Sequence, residues 1–159
     1  MRRTVVLLAA LAFGARTAAA CALPQEKAAF DIAWVRSDMM LTALTCSVDH
    51  KYNEFITRFR PVLIADDAAV IGYFRRIYGA NVAQSWHDRY VTSLANKQSE
   101  LSVAEGSRFC ARHIIELDQI LRLHSVAQLT TLAAGLAYAQ PISLPVCDAA
   151  AQSKSKPAG

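Results

Sequence analysis

The stretch Glu26–Cys46, EKAAFDIAWVRSDMMLTALTC, decides the fold of this chain. Its apolar residues recur every three or four positions, the spacing that gathers side chains on one face of an α-helix. The residues on this face are Phe30, Ala33, Trp34, Met40, Leu41 and Leu44. A face this broad is typical of a helix at the centre of a bundle. The sequence therefore predicts an all-α domain organised around this segment.

Helical periodicity continues through the rest of the chain, and strand-like alternation never lasts more than a few residues. The further predicted helices cover about residues 49–60, 66–79, 81–98, 102–121 and 125–140. Pro61 and Gly79 are expected to end the first two of these. Capping boxes at 102–105 and 125–128 are expected to begin the last two, because the paired side chains satisfy free amides reciprocally. Together these patterns predict a single compact bundle of five or six helices.

The first twenty residues have the three parts of a secretory signal: Arg2 and Arg3, the apolar run VVLLAALAF at 5–13, and small residues at 18–20. The apolar run is too short to cross a bilayer core of about 30 Å, so no transmembrane span is predicted. We therefore expect a signal peptide over 1–20, a helical domain over 21–148 and a disordered tail over 149–159. This organisation predicts an exported protein, periplasmic or secreted.

Removal of the signal also changes the charge of the chain. The whole sequence has a formal net charge of +4, but residues 1–20 hold three of the 17 basic side chains and no acidic one. The remaining 14 basic and 13 acidic side chains give a net charge of only +1. The charge balance therefore gives no reason to expect nucleic acid or an anionic membrane as a partner.

The four cysteines, Cys21, Cys46, Cys110 and Cys147, all follow the predicted signal. Their wide spacing contains no CxxC pair, which argues against a structural zinc site. An even number of cysteines in an exported chain indicates two disulfides, for which three pairings are possible. Of these we favour Cys46–Cys110, joining two helices, and Cys21–Cys147, tying together the ends of the domain.

Cys21 also permits a different interpretation. After cleavage it becomes the first residue, the position at which bacterial lipoproteins carry their lipid. Ala18 occupies the place where such signals usually have Leu, and lipidation would leave three cysteines without an even pairing. A lipid anchor at Cys21 is therefore kept as the less favoured alternative.

His113 and Glu116 are candidates for metal binding. Residues three positions apart lie on the same side of a helix, so both side chains can reach one ion. A bundle site needs further carboxylates from facing helices, and the candidates are Asp88, Glu54 and Asp118. The simpler interpretation is a solvated helix face.

The segment 86–90, WHDRY, is the densest polar and aromatic cluster. His87 is a candidate general base that would activate Ser93 or Tyr90. Neighbouring residues on a helix point about 100° apart, so Asp88 is badly placed to orient His87. The chain also lacks a glycine-flanked serine elbow, which disfavours a hydrolase. The alternative is a half-buried helix on which Tyr90 packs while His87 and Asp88 meet water.

Arginines form the third candidate group: Arg58, Arg60, Arg75, Arg76 and Arg89. If Arg58, Arg75 and Arg76 converge, their guanidinium groups form a patch for phosphate or carboxylate groups. Equally, they can pair with nearby carboxylates as ordinary surface charges, which contribute only about 0–1 kcal/mol each.

Two segments, WHDRYVTSLANKQSELSVAEGSRFC at 86–110 and LTALTCSVDHKYNEF at 41–55, resemble small, uncharacterised exported α-helical proteins of proteobacteria. The resemblance covers roughly residues 31–110. It implies export and paired cysteines, and it implies no activity.

The sequence thus favours an exported, non-enzymatic helical protein that binds a protein or a cell-envelope component, with a chaperone-like activity as one form. No cofactor is predicted. One alternative is a metal-binding protein or small hydrolase using His87, His113 and Glu116. Another is an envelope subunit anchored by a lipid on Cys21.

Overall fold

A computed structural model describes residues 21–136 and 140–147 of the chain. The α-helices are α1 (Pro24–Cys46), α2 (Asp49–Tyr78), α3 (Ala83–Glu105), α4 (Phe109–Leu121) and α5 (Val126–Gly135), with one 3-10 turn at Gly106–Arg108. Within the described residues, no helix combines the length and the apolar character needed to cross a membrane. The predicted signal peptide and the predicted tail lie outside the described residues.

Helix α1 is the central element, and it contacts each of α2, α3, α4 and α5. The all-α prediction is therefore confirmed, as is the central place of the 26–46 segment. The bundle itself has four helices, α1 to α4, fewer than the five or six predicted. The ten-residue α5 packs against α1 as a short addition to this bundle.

The predicted helix end at Pro61 is wrong. Helix α2 runs without interruption from Asp49 to Tyr78 with Pro61 in its interior. Proline removes one helical hydrogen bond and crowds the preceding turn, a local cost of about 3 kcal/mol. Phe59 and Leu63 are buried on either side of Pro61, and burial of each large apolar side chain contributes about 1.5–3 kcal/mol. Packing against the bundle thus outweighs the local cost.

One capping box begins a helix, and the other does not. Ser125 is the N-cap of α5, and its hydroxyl accepts a hydrogen bond from the amide of Gln128 at 3.2 Å. Ser102 instead lies inside α3, where its hydroxyl donates to the carbonyl of Ser99. Helix α3 ends at Glu105. The next residue, Gly106, has a φ of +57°, a conformation that glycine adopts without strain.

Two clusters of buried side chains hold the bundle together. The first, here called the α3 core, joins α1, α2 and α3 and includes Phe30, Trp34, Val70, Tyr73, Phe74, Tyr90 and Leu94. The second, the α4–α5 core, joins α1, α2, α4 and α5 and includes Ile32, Val35, Met39, Phe55, Phe59, Leu117, Ile120 and Leu129. Met40 and Leu44 were predicted on the buried face of α1, but both are exposed, and Met39 and Ala43 are buried instead.

Two disulfides cross-link the helical domain, and their pairing is the one favoured from the sequence. Cys46 and Cys110 join the end of α1 to the start of α4, with 5.6 Å between their Cα atoms. Cys21 and Cys147 join the start of the domain to the segment 140–147, with 5.0 Å between their Cα atoms. A lipid on the Cys21 sulfur and this disulfide exclude each other, so the pairing counts against the lipid anchor.

The segment 140–147, here called the strap, contains no helix and pairs with Ala22 through one parallel bridge at Val146. The Ala22 amide donates to the carbonyl of Pro145 at 2.7 Å, and the Cys147 amide donates to the carbonyl of Ala22 at 2.9 Å. Ile142 and Leu144 of the strap pack against the α3 core.

Candidate metal centre

A buried carboxylate and a buried histidine meet between α1 and α4. Asp38 is 4% exposed and His113 is 8% exposed. Asp38 lies two turns before Cys46 on α1, and His113 lies one turn after Cys110 on α4. Because the Cys46–Cys110 disulfide joins these two helices, it holds Asp38 and His113 at a fixed separation.

Three potential ligand atoms converge at this point. His113 Nδ1 lies 2.9 Å from Asp38 Oδ2, within hydrogen-bond distance. The same nitrogen lies 3.6 Å from Glu116 Oε2, one turn along α4. Ligand atoms of Asp38, His113 and Glu116 all lie within 4.8 Å of one another. The ring of Phe109 stacks on the imidazole with 4.1 Å between centroids, which restricts its rotation.

A third carboxylate lies on the opposite side of the imidazole. Glu105 Oε1 is 3.6 Å from His113 Nε2, just beyond hydrogen-bond distance, and this buried nitrogen has no hydrogen-bond partner among the described residues. Arg112 pairs with Glu105 at 3.1 Å. Among the described residues, the imidazole thus has three carboxylates close to it, one of which pairs with Arg112.

This environment shifts the proton equilibria of the cluster. Burial by itself would lower the pKa of His113, but the hydrogen bond and charge of Asp38, together with Glu116 and Glu105, raise it above the ordinary value. Burial raises the pKa of Glu116, although the positive charges of His113 and Arg112 oppose that shift. The pKa values of both groups are thus raised, that of Glu116 mainly by burial and that of His113 by the carboxylates around it.

The donor set fits a divalent metal ion. In a tetrahedral zinc site, bonds of about 2.0–2.2 Å place neighbouring nitrogen and oxygen ligands about 3.4 Å apart. The distances from His113 Nδ1 to Asp38 and Glu116, 2.9 and 3.6 Å, bracket that value. An ion bound at Nδ1 would take the place of the proton there, so small side-chain shifts would suffice.

The sequence prediction of this site was partly complete. It named His113 and Glu116, which the fold brings together with a third ligand. None of the other carboxylates considered, Asp88, Glu54 and Asp118, belongs to this group. The residues missed were Asp38 and Glu105. The sequence feature that could have identified Asp38 is its position on the same face of α1 as the buried residues Val35 and Thr42.

The side chain of His87, the second predicted histidine, is within hydrogen-bond distance of Asp67 on another helix and not of the adjacent Asp88. Its Nε2 lies 3.1 Å from Asp67 Oδ1 of α2, and the same oxygen accepts a hydrogen bond from Arg36 of α1 at 3.1 Å. Its Nδ1 is buried without a hydrogen-bond partner among the described residues, 3.6 Å from the exposed Asp88. Burial raises the pKa of neighbouring Asp66 to about 6, although Arg36 opposes the shift.

The arrangement expected of a hydrolase is not assembled around His87 in the described structure. Tyr90 is buried, and its hydroxyl donates to Gln140 Oε1 at 3.0 Å. Burial raises the pKa of Tyr90, so its phenol keeps its proton at neutral pH. Ser93 is exposed and lines a different cleft from the one that His87 lines. Neither residue is placed as an activated nucleophile.

The arginines considered for an anion patch do not all converge. Because α2 is one continuous helix, Arg58 and Arg75 lie about 25 Å apart along its axis. Arg58 pairs with Glu54, and Arg76 pairs with Glu26 of α1. Arg76 and Arg58 therefore stabilise opposite ends of the bundle and cannot bind one anion together.

Comparison of this chain with protein-family models, with curated proteins and with solved structures found no match. The resemblance to exported proteobacterial proteins therefore stays a prediction.

Proposed function

We propose that this protein is an exported helical protein that binds one divalent transition-metal ion through Asp38, His113 and Glu116. The observation that carries the proposal is the convergence of these three side chains, from two helices stapled by a disulfide, within 4.8 Å of one another. Two of the three are buried, so the cluster is not an accidental meeting of surface charges.

The charge of the site supports a cation. Asp38, Glu116 and Glu105 bring three carboxylates into a half-buried space, and Arg112 supplies one compensating charge. Uncompensated buried charge is costly, and a group in that position either retains a proton or binds a counter-ion. A divalent ion would neutralise the excess and permit the proton on His113 Nδ1 to leave.

The types of ligand atom indicate which ions the site would bind and what role the binding would have. One imidazole and two carboxylates suit zinc and the neighbouring first-row ions such as Mn²⁺, Fe²⁺ and Co²⁺, whereas soft Cu⁺ favours thiolate and thioether ligands. Three protein ligands leave at least one coordination position for water or for a ligand from another molecule. That arrangement favours reversible binding or transfer of the ion over a closed structural site. Export fits the two disulfides, which persist in oxidising compartments.

The direct test is titration of metal-free protein with Zn²⁺ by calorimetry and with Co²⁺ by visible absorption. We expect one ion per chain. Asp38→Asn and Glu116→Gln should each weaken binding by at least about tenfold. Asp118→Asn is the matched control, because Asp118 lies on the same helix, pairs with Lys51 and stands outside the cluster.

Binding that is substoichiometric, or that is equally strong in the Asp38→Asn and Asp118→Asn proteins, would refute the metal site. Circular dichroism and unfolding curves must show that each variant is folded. Glu116→Gln is the safest variant in this respect, because its side chain is only half-buried and keeps its shape.

A second candidate, binding of a protein or an envelope component, rests on a partly exposed aromatic stack. The rings of Tyr78 and Trp86 lie parallel with centroids 4.2 Å apart, and the guanidinium of Arg89 lies 5.4 Å from the Trp86 ring. Trp86 and Arg89 line an open cleft of about 870 Å³. Aromatic and arginine side chains of this kind dominate binding energy at protein interfaces.

This candidate is tested by co-sedimentation of the protein with purified cell-wall sacculi and by pull-down of envelope proteins. A Trp86→Ala, Arg89→Ala double variant should lose such binding, and a Val103→Ala variant on the exposed side of α3 should retain it. Equal retention by both proteins would remove the aromatic stack from consideration.

A further inference from the structure

The two ring nitrogens of His113 have different surroundings. Nδ1 faces Asp38 and Glu116, the two carboxylates of the proposed metal site, at 2.9 and 3.6 Å. Nε2, on the other edge of the ring, is buried and has no hydrogen-bond partner among the described residues. Buried polar atoms nearly always have a hydrogen-bond partner, so the exception at Nε2 calls for a physical reason.

The group that faces Nε2 is the carboxylate of Glu105, the last residue of α3. Its Oε1 lies 3.6 Å from Nε2, just outside hydrogen-bond distance. Arg112 of α4 donates to the same oxygen at 3.1 Å and so holds the carboxylate beside the imidazole. A carboxylate oxygen has two lone pairs, so Oε1 can accept from Arg112 and from Nε2 at the same time.

We infer that Glu105 is a positioning residue of the metal site: it accepts a hydrogen bond from Nε2–H of His113 and keeps Nδ1 directed at the ion. The inference rests on the proposed function, because it concerns how the same ligands hold the ion. A neutral imidazole that binds a metal ion through one nitrogen has its proton on the other nitrogen. With the ion at Nδ1, the proton is on Nε2, and the nitrogen that lacks a partner becomes a donor to Glu105.

The aromatic contact of the same ring shows why this hydrogen bond matters. Phe109 stacks on the imidazole with 4.1 Å between centroids and so fixes the plane of the ring. Stacking does not distinguish the ring from its flipped orientation, in which carbon atoms take the places of the two nitrogens. A hydrogen bond from Nε2 to Glu105 does distinguish them. Loss of such a partner of a metal-binding histidine typically weakens metal binding by about 10–100-fold.

The first test compares Glu105→Leu with Glu105→Gln by calorimetric titration of the metal-free protein with Zn²⁺. The leucine removes both the charge and the acceptor, and should weaken binding by about 10–100-fold. The glutamine removes the charge but keeps an oxygen that can accept from Nε2–H. It should therefore bind Zn²⁺ about fivefold more tightly than the leucine variant, which corresponds to one ordinary hydrogen bond.

Glu100→Leu is the matched control for the lost charge. Glu100 lies on the same helix as Glu105, is 70% exposed at its side chain and pairs with Lys97 at 3.6 Å. Its replacement makes the same change in net charge and should leave Zn²⁺ binding nearly unchanged.

Nitrogen-15 NMR of the zinc-loaded protein supplies a readout that a change of charge alone does not move. We expect His113 to have its proton on Nε2, with a resonance shifted downfield by the carboxylate and slow exchange with water. In Glu105→Leu this resonance should move upfield and exchange faster. If Glu105→Leu does not fold, Glu105→Gln repeats the comparison, with a smaller upfield movement because a neutral acceptor forms the weaker hydrogen bond.

The outcomes separate this inference from the proposed function. A wild-type protein that binds no Zn²⁺ overturns both. If the protein binds Zn²⁺ but the proton of zinc-loaded His113 is on Nδ1, the role of Glu105 is overturned and metal binding stands. The same holds if Glu105→Leu and Glu105→Gln weaken binding equally, or if Glu100→Leu weakens it as much as Glu105→Leu.

Discussion

The two halves of the bundle are built from the same parts. Each half has its own buried core, its own disulfide and its own pair of a histidine with an aspartate from another helix. In the α4–α5 half the pair is His113–Asp38, and in the α3 half it is His87–Asp67. What differs is the third partner of each pair.

That third partner decides what each pair can bind. The neighbours of His113 are further carboxylates, so negative charge accumulates and a cation is favoured. The neighbour of Asp67 is Arg36, which cancels the charge and leaves a balanced polar region beside an apolar cleft. A His–Asp pair by itself therefore says little about function, and the charges around it say much more.

The largest expected effect is the loss of stability when either disulfide is removed. Replacing either cysteine pair by alanines should lower the free energy of unfolding by about 4 kcal/mol, because each bridge closes a long loop. The separations are 64 residues for Cys46–Cys110 and 126 residues for Cys21–Cys147. Urea unfolding of the two double variants measures the loss.

The same two double variants should differ in their affinity for a metal ion. Loss of Cys46–Cys110 should weaken Co²⁺ binding by at least about tenfold, since that bridge holds α1 against α4. Loss of Cys21–Cys147, which lies in the other half, should leave it nearly unchanged. Equal losses in both variants would mean that the two halves are not independent.

A smaller effect distinguishes the two cores. Phe30 and Phe55 are both fully buried, but Phe30 makes edge-to-face contacts with Tyr73 at 5.2 Å and Tyr90 at 4.9 Å. Among the described residues, the ring contacts of Phe55 are tilted, with Phe59 at 5.5 Å and with Tyr52 at 6.4 Å. Phe30→Leu should therefore cost about 1 kcal/mol more than Phe55→Leu in urea unfolding. An equal cost would assign no special role to the aromatic contacts of the α3 core.

The smallest effect concerns Asp66, whose Oδ2 is buried without a hydrogen-bond partner among the described residues. Because its pKa in the folded state is raised to about 6, the folded protein binds this proton more tightly than the unfolded chain does. Asp66 therefore costs stability progressively as the pH rises from about 4 through 6. Asp66→Asn should stabilise the protein by about 1 kcal/mol at neutral pH, after allowance for solvent screening, and by almost nothing near pH 4.

Asp67→Asn is the matched control for that prediction. Asp67 is paired with Arg36 and His87, so loss of its charge should destabilise the protein at neutral pH. If Asp66→Asn also destabilises at neutral pH, the unpartnered carboxyl has a stabilising contact that the fold does not reveal.

The sequence predicted those features that are set by nearby residues or by simple counting. The helical class, the central segment 26–46, the Ser125 cap and the favoured cysteine pairing are all found in the structure. The helix boundaries predicted at Pro61 and Ser102 were wrong, although each residue carries a strong local signal for a boundary. At Pro61, burial of the helix against its neighbours continues past the signal, and a local rule contains no information about that burial. The last buried residue of α3, Gln98, comes before Ser102, so burial does not explain why the helix continues to Glu105.

The site was partly predictable for a similar reason. His113 and Glu116 share one helix, so their spacing alone revealed them. Asp38 and Glu105 come from other helices, and only the packing of α1, α3 and α4 brings them close. Their contribution depends on tertiary contacts, which periodicity cannot supply. A carboxylate on the buried face of a central helix is the one clue the sequence held.

The bridge between Cys21 and Cys147 also has a mechanical consequence. Cys21, the first residue after the predicted signal peptide, and Cys147 have their Cα atoms 5.0 Å apart and are covalently joined. A pulling force applied between these two residues would pass through the sulfur atoms and bypass the helices. The helices between the two cysteines would therefore stay folded under a load that unfolds a bundle without this disulfide.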